Sequence, residues 1–125
     1  MIVAMGVDSI SIARIERLWQ QAGERFARRV FTAQEIAYCL ARARPAESFA
    51  ARFCAKEAAM KCLGTGWAFG LGFQQIEVGR DDTGAVGLSL TGAAAKRAAL
   101  LGIRRLHVSL THTESVATAF VVAET

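Results

Sequence analysis

The alternation of apolar and polar positions divides the chain into a clear order of elements. Ile2–Val7 is a short apolar run that predicts a strand, ended by Asp8. From Ile10 to Gln21 the residues Ile12, Ile15, Leu18/Trp19 and Ala22 recur at helical spacing, with Arg14, Arg17 and Gln21 on another face. Gly23 stops that helix. Thr32 followed by Glu35 is a capping-box pattern, the hydroxyl taking the Glu35 amide and the carboxylate reaching back; a helix is expected to about Ala43. Pro45 suits the first turn of a longer helix to Leu63, with Gly64 as its stop. Residues 64–72 then form a glycine-rich loop. Gln74–Gly79 and Ala85–Leu90 predict short strands around the turn residues Asp81-Asp82-Thr83-Gly84. Thr91 can cap a helix that ends at Gly102. Leu106–Leu110 alternates, with His107 and Ser109 on the polar face, and Val116–Ala123 is nearly all apolar, as a strand buried on both sides would be. The polar stretch Thr111–Ser115 between them is short enough for an antiparallel hairpin. This order predicts an α+β fold, with helices packed on one side of a small antiparallel sheet.

Length and composition narrow the class. A chain of 125 residues is expected to form one domain, 1–125, and no repeat or linker divides it. Apolar types make up 53% of it, but 24 of those residues are alanine, so packing between subunits would help to complete the core. Eleven glycines and one proline are too few for a disordered or collagen-like chain. The longest apolar stretch is too short to span a membrane, and Met1–Val7 lacks the charged lead-in and cleavage site of a secretory signal. Cys39, Cys54 and Cys62 form neither an even disulfide set nor a CxxC pair. Reduced thiols in a cytoplasmic protein, with no membrane partner, are the expectation.

Charge adds a partner question. The chain carries 15 Lys and Arg against 11 Asp and Glu, a net +4. All of that excess lies in residues 1–62, and twelve of the fifteen bases are arginine, the type that forks onto phosphate and carboxylate. The bases share their segments with glutamates and lack interleaved aromatics or a known module, so a nucleic-acid partner is not expected.

The helix Pro45–Leu63 carries the candidate chemistry. Phe53, Glu57 and Lys61 stack at i, i+4, i+8, and Arg52 with Lys56 makes the neighbouring stripe. Glu57 and Lys61 could be a solvated ion pair worth only about 0.3–0.5 kcal/mol. Alternatively Arg52, Lys56 and Lys61 face a phosphate and Glu57 holds a divalent metal beside it. The rest of this helix is small or apolar, which confines its charges to a patch. Asp8, at the end of a buried strand, is either a helix cap or the second carboxylate. A hard cation such as Mg²⁺ takes one or two carboxylates and fills its shell with water and phosphate oxygens, so Asp8 and Glu57 suffice if the fold joins them. His107 reads as structural, whereas His112, in a polar turn with Thr111 and Thr113, could instead meet a phosphate or ribose. Gly64-Thr65-Gly66 follows a helix, whereas phosphate-cradling loops precede one.

Three blocks together resemble the bacterial holo-[acyl-carrier-protein] synthases, the small phosphopantetheinyl transferases. They are Gly6-Val7-Asp8-Ser9-Ile10 with Arg14-Ile15, the run Arg52-Phe53-Cys54-Ala55-Lys56-Glu57-Ala58-Ala59-Met60-Lys61-Cys62-Leu63-Gly64-Thr65-Gly66, and His107-Val108-Ser109-Leu110-Thr111-His112-Thr113. The resemblance covers essentially the whole chain, and one departure is Cys62, where alanine is expected. It implies the phosphopantetheinyl transferase fold, a homotrimer with active sites between subunits, and Mg²⁺-dependent transfer of 4′-phosphopantetheine from coenzyme A to a serine of an apo acyl carrier protein. Asp8 and Glu57 match the metal carboxylates, and Lys61 the lysine at the pyrophosphate. Arg52, Lys56, Gly64, His112 and Thr113 match positions around coenzyme A. Glu57 and Lys61 are the candidate catalytic pair; Glu57, on the correct helix face, is the candidate acceptor of the serine proton, directly or through a metal-bound water. Carrier proteins are acidic, so the resemblance also makes Arg14, Arg17, Arg25 and Arg28 a docking surface. A non-catalytic, oligomeric coenzyme A-binding protein of the same fold is the alternative.

Overall fold

In the computed structural model, residues 1–64 and 70–125 are described. The elements follow as β1 (Ile2–Ser11), α1 (Ile12–Ala22), α2 (Glu24–Val30), α3 (Ala33–Leu40), α4 (Pro45–Leu63), a 3-10 turn (Phe73–Gln75), β2 (Ile76–Arg80), β3 (Val86–Leu90), α5 (Gly92–Leu100), β4 (Arg105–His112) and β5 (Val116–Glu124). Three strands form an antiparallel sheet in the order β1-β5-β4, and β2 and β3 make a separate antiparallel ladder. The α+β expectation is met, with two small sheets where one was expected.

Alternation places Gly6, Asp8 and Ile10 of β1 on the same face as Ala117, Ala119, Val121 and Ala123 of β5, and α4 lies across that face. The helix can come close because both surfaces are small. A Cβ added to Gly6 would stand 2.0 Å from the Ala58 carbonyl oxygen, so only glycine permits this approach. Phe31, Phe49, Met60, Leu63 and Ile76 are buried around α4 and form the larger-side-chain part of the core.

Several boundaries differ from the sequence expectation. β1 does not stop at Asp8; its pairing with β5 runs to Ser11 opposite Val116, and Ser11 then caps α1 by accepting the Arg14 amide at 3.3 Å. Asp8 is therefore a strand residue and no helix cap. A helix absent from the expectation, α2, follows Gly23; Glu24 in its first turn and Arg28 and Arg29 in its last suit its dipole. The Thr32 capping box is present, but α3 ends at Leu40 and not near Ala43. Arg44, directly before Pro45, is held at φ −128°, ψ 85°, outside the helical region. The first residues expected in β2 form the 3-10 turn. β4 runs on through His112, opposite Ala117, so this histidine is a strand residue and the turn begins at Thr113. β5 is buried on one face only: Val116 and Phe120 are exposed where burial on both sides was expected. Thr65 and Gly66, and most of the glycine-rich loop, lie outside the described residues.

Candidate functional site

The close seating of α4 on Gly6 brings together residues far apart in the chain. Two positions further along the same face of β1, Asp8 meets α4. Lys61 Nζ donates to the Val7 carbonyl at 2.7 Å and lies 3.5 Å from Asp8 Oδ1. The Glu57 carboxyl is pushed above the usual carboxylate range, first by burial and then by the charge of Asp8, while Lys61 pulls it down. Cys54 lies buried behind them and donates to the Ala117 carbonyl at 3.4 Å. Burial, with the Asp8 charge next, pushes its thiol up to about 12, so it stays protonated at neutral pH.

Two carboxylates facing one ammonium leave an excess of negative charge on oxygen donors alone. That donor set suits a hard divalent cation. Among the described residues no three His, Cys, Asp or Glu side chains gather into a group that could hold a metal. A hard cation bound by two carboxylates completes its shell with water and phosphate oxygens.

The other bases of α4 go elsewhere. Lys56 is fully buried, and its Nζ is 2.6 Å from Glu35 Oε1, 2.8 Å from the Ile76 carbonyl and 3.0 Å from the Phe73 carbonyl. All three donors are used inside the core, so the expectation that Lys56 faces a phosphate is corrected: it ties α4 to α3 and the start of β2. The three cations expected around a single anion are separated by the fold.

Arg52, on the flank of α4 toward α3, lines a cleft of about 290 Å³ together with Tyr38, Arg42, Arg44, Arg80 and His112. Its guanidinium carbon lies 4.0 Å from the centre of the Tyr38 ring, and its Nε is buried with no hydrogen-bond partner. Glu47, also in the cleft, is 3.2 Å from Arg44 Nη1 and 3.4 Å from His112 Nδ1. Burial raises the Tyr38 phenol, but the Arg80 hydrogen bond and the charges of Arg80, Arg42 and Arg52 outweigh it and leave the pKa lowered.

The remaining expected residues have plainer surroundings. Gly64 ends α4 at φ 73°, and its amide donates to the Met60 and Lys61 carbonyls. The Thr113 hydroxyl accepts the Ser115 and Val116 amides and closes the hairpin turn. His107 pairs with Glu124 at 2.8 Å on the outer face of the sheet. Arg14, Arg17, Arg25 and Arg28 are all exposed along α1 and α2. Tyr38, Arg42, Arg44 and Arg80 were not singled out from the sequence. The one local signal was that Tyr38, the only tyrosine, lies one helical turn after the capping-box glutamate; Arg80 reaches the cleft only through tertiary packing.

Comparison with known proteins decides the family. The profile of the 4′-phosphopantetheinyl transferase superfamily matches residues 4–121. The chain belongs to this superfamily. Within it, the chain is 45% identical over 124 residues to a holo-[acyl-carrier-protein] synthase of Koribacter versatilis, covering 99% of each. It is 51% identical over 128 residues to the synthase of a Methylobacterium species, covering 99% of this chain and 95% of the relative. Among solved structures, the holo-[acyl-carrier-protein] synthase of Neisseria meningitidis superposes with a TM-score of 0.91 at 36% identity, covering both chains fully. The Helicobacter pylori synthase, solved in complex with coenzyme A, gives 0.85 at 29% identity over 97% of this chain and all of that one. For a transferase of this superfamily, the carboxylate pair with Lys61 and the arginine cleft are the two charged sites that have to be explained.

Proposed function

We propose that the chain is a holo-[acyl-carrier-protein] synthase. It moves 4′-phosphopantetheine from coenzyme A to a serine of an acidic apo carrier protein and releases adenosine 3′,5′-bisphosphate. The observation that carries this reading is the meeting of Asp8, Glu57 and Lys61 on one face of the α4–β1 contact. Asp8 and Glu57 would hold Mg²⁺, which when bound supplies positive charge to the pyrophosphate oxygens.

The chain's own side chains have three tasks. Lys61, half-exposed and anchored to the Val7 carbonyl, offers its ammonium to charge developing on the pyrophosphate. The serine Oγ forms a bond to the β-phosphorus, and the bond between that phosphorus and the bridging oxygen breaks. The electron pair leaves with adenosine 3′,5′-bisphosphate, and the serine proton passes to a base. Glu57 is the carboxylate on the correct helix face for that base. Arg52 and His112 in the cleft receive the nucleotide end.

Two features support a composite site in a homotrimer. Arg52 and Glu57 are five residues apart, about 140° around the helix, so one protomer presents its cleft and its carboxylate pair on different flanks of α4. The outer face of the three-stranded sheet exposes Met5, Val7 and Phe120 at 64%, 51% and 43%. Subunits packed on that face would cover it and could bring one cleft to a neighbour's carboxylates. The exposed arginines of α1 and α2 suit an acidic partner. No helix among the described residues is long and apolar enough to cross a membrane.

The test incubates the protein with coenzyme A, Mg²⁺ and an apo acyl carrier protein and reads the carrier's intact mass. A gain of one phosphopantetheine is expected. Binding of coenzyme A without mass gain on any carrier would favour a non-catalytic binding protein.

A further inference from the structure

A separate groove lies where the two ladders fail to join. Among the described residues β3 pairs only with β2 and β4 only with β5, yet β3 and β4 run close together. The space between them holds about 240 Å³ and is lined by Leu88 and Leu90 of β3, Ala95 and Ala98 of α5, Ile103 and Leu106. It stays open because α5 offers only alanine methyls there, where larger side chains would fill it. Arg104 is the one polar residue of the lining. Both charged sites lie elsewhere: Leu106 and His112 stand toward opposite ends of β4, about 20 Å apart. Leu106 pairs with the buried Ala123, on the sheet face under α4, so subunits packed on the outer face would leave the groove uncovered.

Charge around the groove has one sign. Lys96, Arg97, Arg104 and Arg105 are the only charged residues between Ala95 and Leu106. Arg97 Nε donates to the Leu63 carbonyl at 3.0 Å, and Arg105 acts on the Glu124 carboxylate opposite it. The exposed Arg104 is different: among the described residues its guanidinium makes no ion pair or hydrogen bond. Its backbone, by contrast, is fixed. Gly102 turns the chain at φ 76°, the Ile103 amide donates to the Ala98 carbonyl and the Arg104 amide to the Glu124 carbonyl, each at 2.9 Å. A free guanidinium at the edge of an apolar groove complements a molecule with an apolar chain and one anionic end. The guanidinium forks onto a carboxylate, and burial of the chain supplies the rest of the attraction. Drug-sized ligands occupy about 300–1,000 Å³, so this smaller groove fits a chain of medium length and no bulkier body.

We propose that the groove binds a medium-chain fatty carboxylate, with the carboxylate on Arg104 and the chain against Leu88, Leu90 and Leu106. Binding there would leave the Asp8–Glu57 pair and the arginine cleft free. The test follows the Ile, Leu and Val methyl NMR signals of the full-length protein during titration with octanoate, octylamine and butyrate. Octanoate is expected to give saturable shifts at Leu88, Leu90, Ile103 and Leu106. Octylamine, with the same chain and the opposite charge, should give none, and butyrate should bind at least about tenfold more weakly. Arg104→Gln should weaken octanoate binding about tenfold, the worth of a charge-assisted contact. Ala95→Phe, which fills the groove, should abolish the shifts at an unchanged melting temperature. No saturable shift with octanoate, an equal response to octylamine, or undiminished binding by Arg104→Gln overturns the proposal. Shifts centred on Val7 and Val122 would place the chain on the outer face of the sheet and overturn it as well. A response to anionic lipid vesicles without one to free octanoate would make the groove a membrane contact, which also overturns it.

Discussion

Lys56 and Glu35 lie side by side at 2.6 Å, with both side chains completely out of water. Burial drives the Lys56 pKa down and Glu35 opposes it. Glu35 also accepts the Thr32 and Val78 amides, each at 2.8 Å, and the Thr32 hydroxyl donates to Glu77 at 2.6 Å. Removing one member of such a pair strands the other charge, whereas removing both leaves an apolar contact. Lys56→Met is therefore expected to lower the urea-unfolding free energy by about 3–5 kcal/mol. The double variant Lys56→Met, Glu35→Leu should lose clearly less than the two single losses together. Additive losses would mean that the two charges act independently.

Among the elements, α4 decides most of what the molecule can do, and its boundaries were legible in the sequence because Pro45 and Gly64 mark them locally. Its faces were harder to assign. Spacing put Arg52, Lys56 and Lys61 on neighbouring stripes, but spacing does not say what stands opposite each stripe. Packing places Tyr38 before Arg52, Glu35 before Lys56 and Asp8 before Lys61. Asp8 itself looked like the end of a strand because a carboxylate interrupts the apolar run; pairing with β5 carries the strand through it. The alanines that seemed to dilute the core are the means by which α4 seats on β1 and β5. The charged helices α1 and α2 belong to the same scale. Arg14→Glu on α1 should raise the KM for carrier protein several-fold and leave the KM for coenzyme A unchanged. Equal changes in steady-state assays varying each substrate in turn would contradict docking there.

On the scale of the whole molecule, the three-stranded sheet has one face under α4 and one face open, although its strand β5 reads as apolar throughout. The proposed trimer would resolve that mismatch, since a strand inside it would be covered on both sides. Sedimentation equilibrium should give three chains for the wild type, and Phe120→Asp should shift the mass toward one chain and reduce transfer with it. A monomeric wild type that is fully active would remove the composite site from the account. The central claim is that the Asp8–Glu57 pair and Lys61 form the transfer centre. Its most direct test is the intact mass of apo acyl carrier protein after incubation with coenzyme A, saturating Mg²⁺ and each of three proteins: wild type, Asp8→Ala and Glu57→Ala. The account predicts a phosphopantetheine gain with the wild type and none above background with either variant, both variants remaining folded. Near-normal turnover by Asp8→Ala or Glu57→Ala would contradict it.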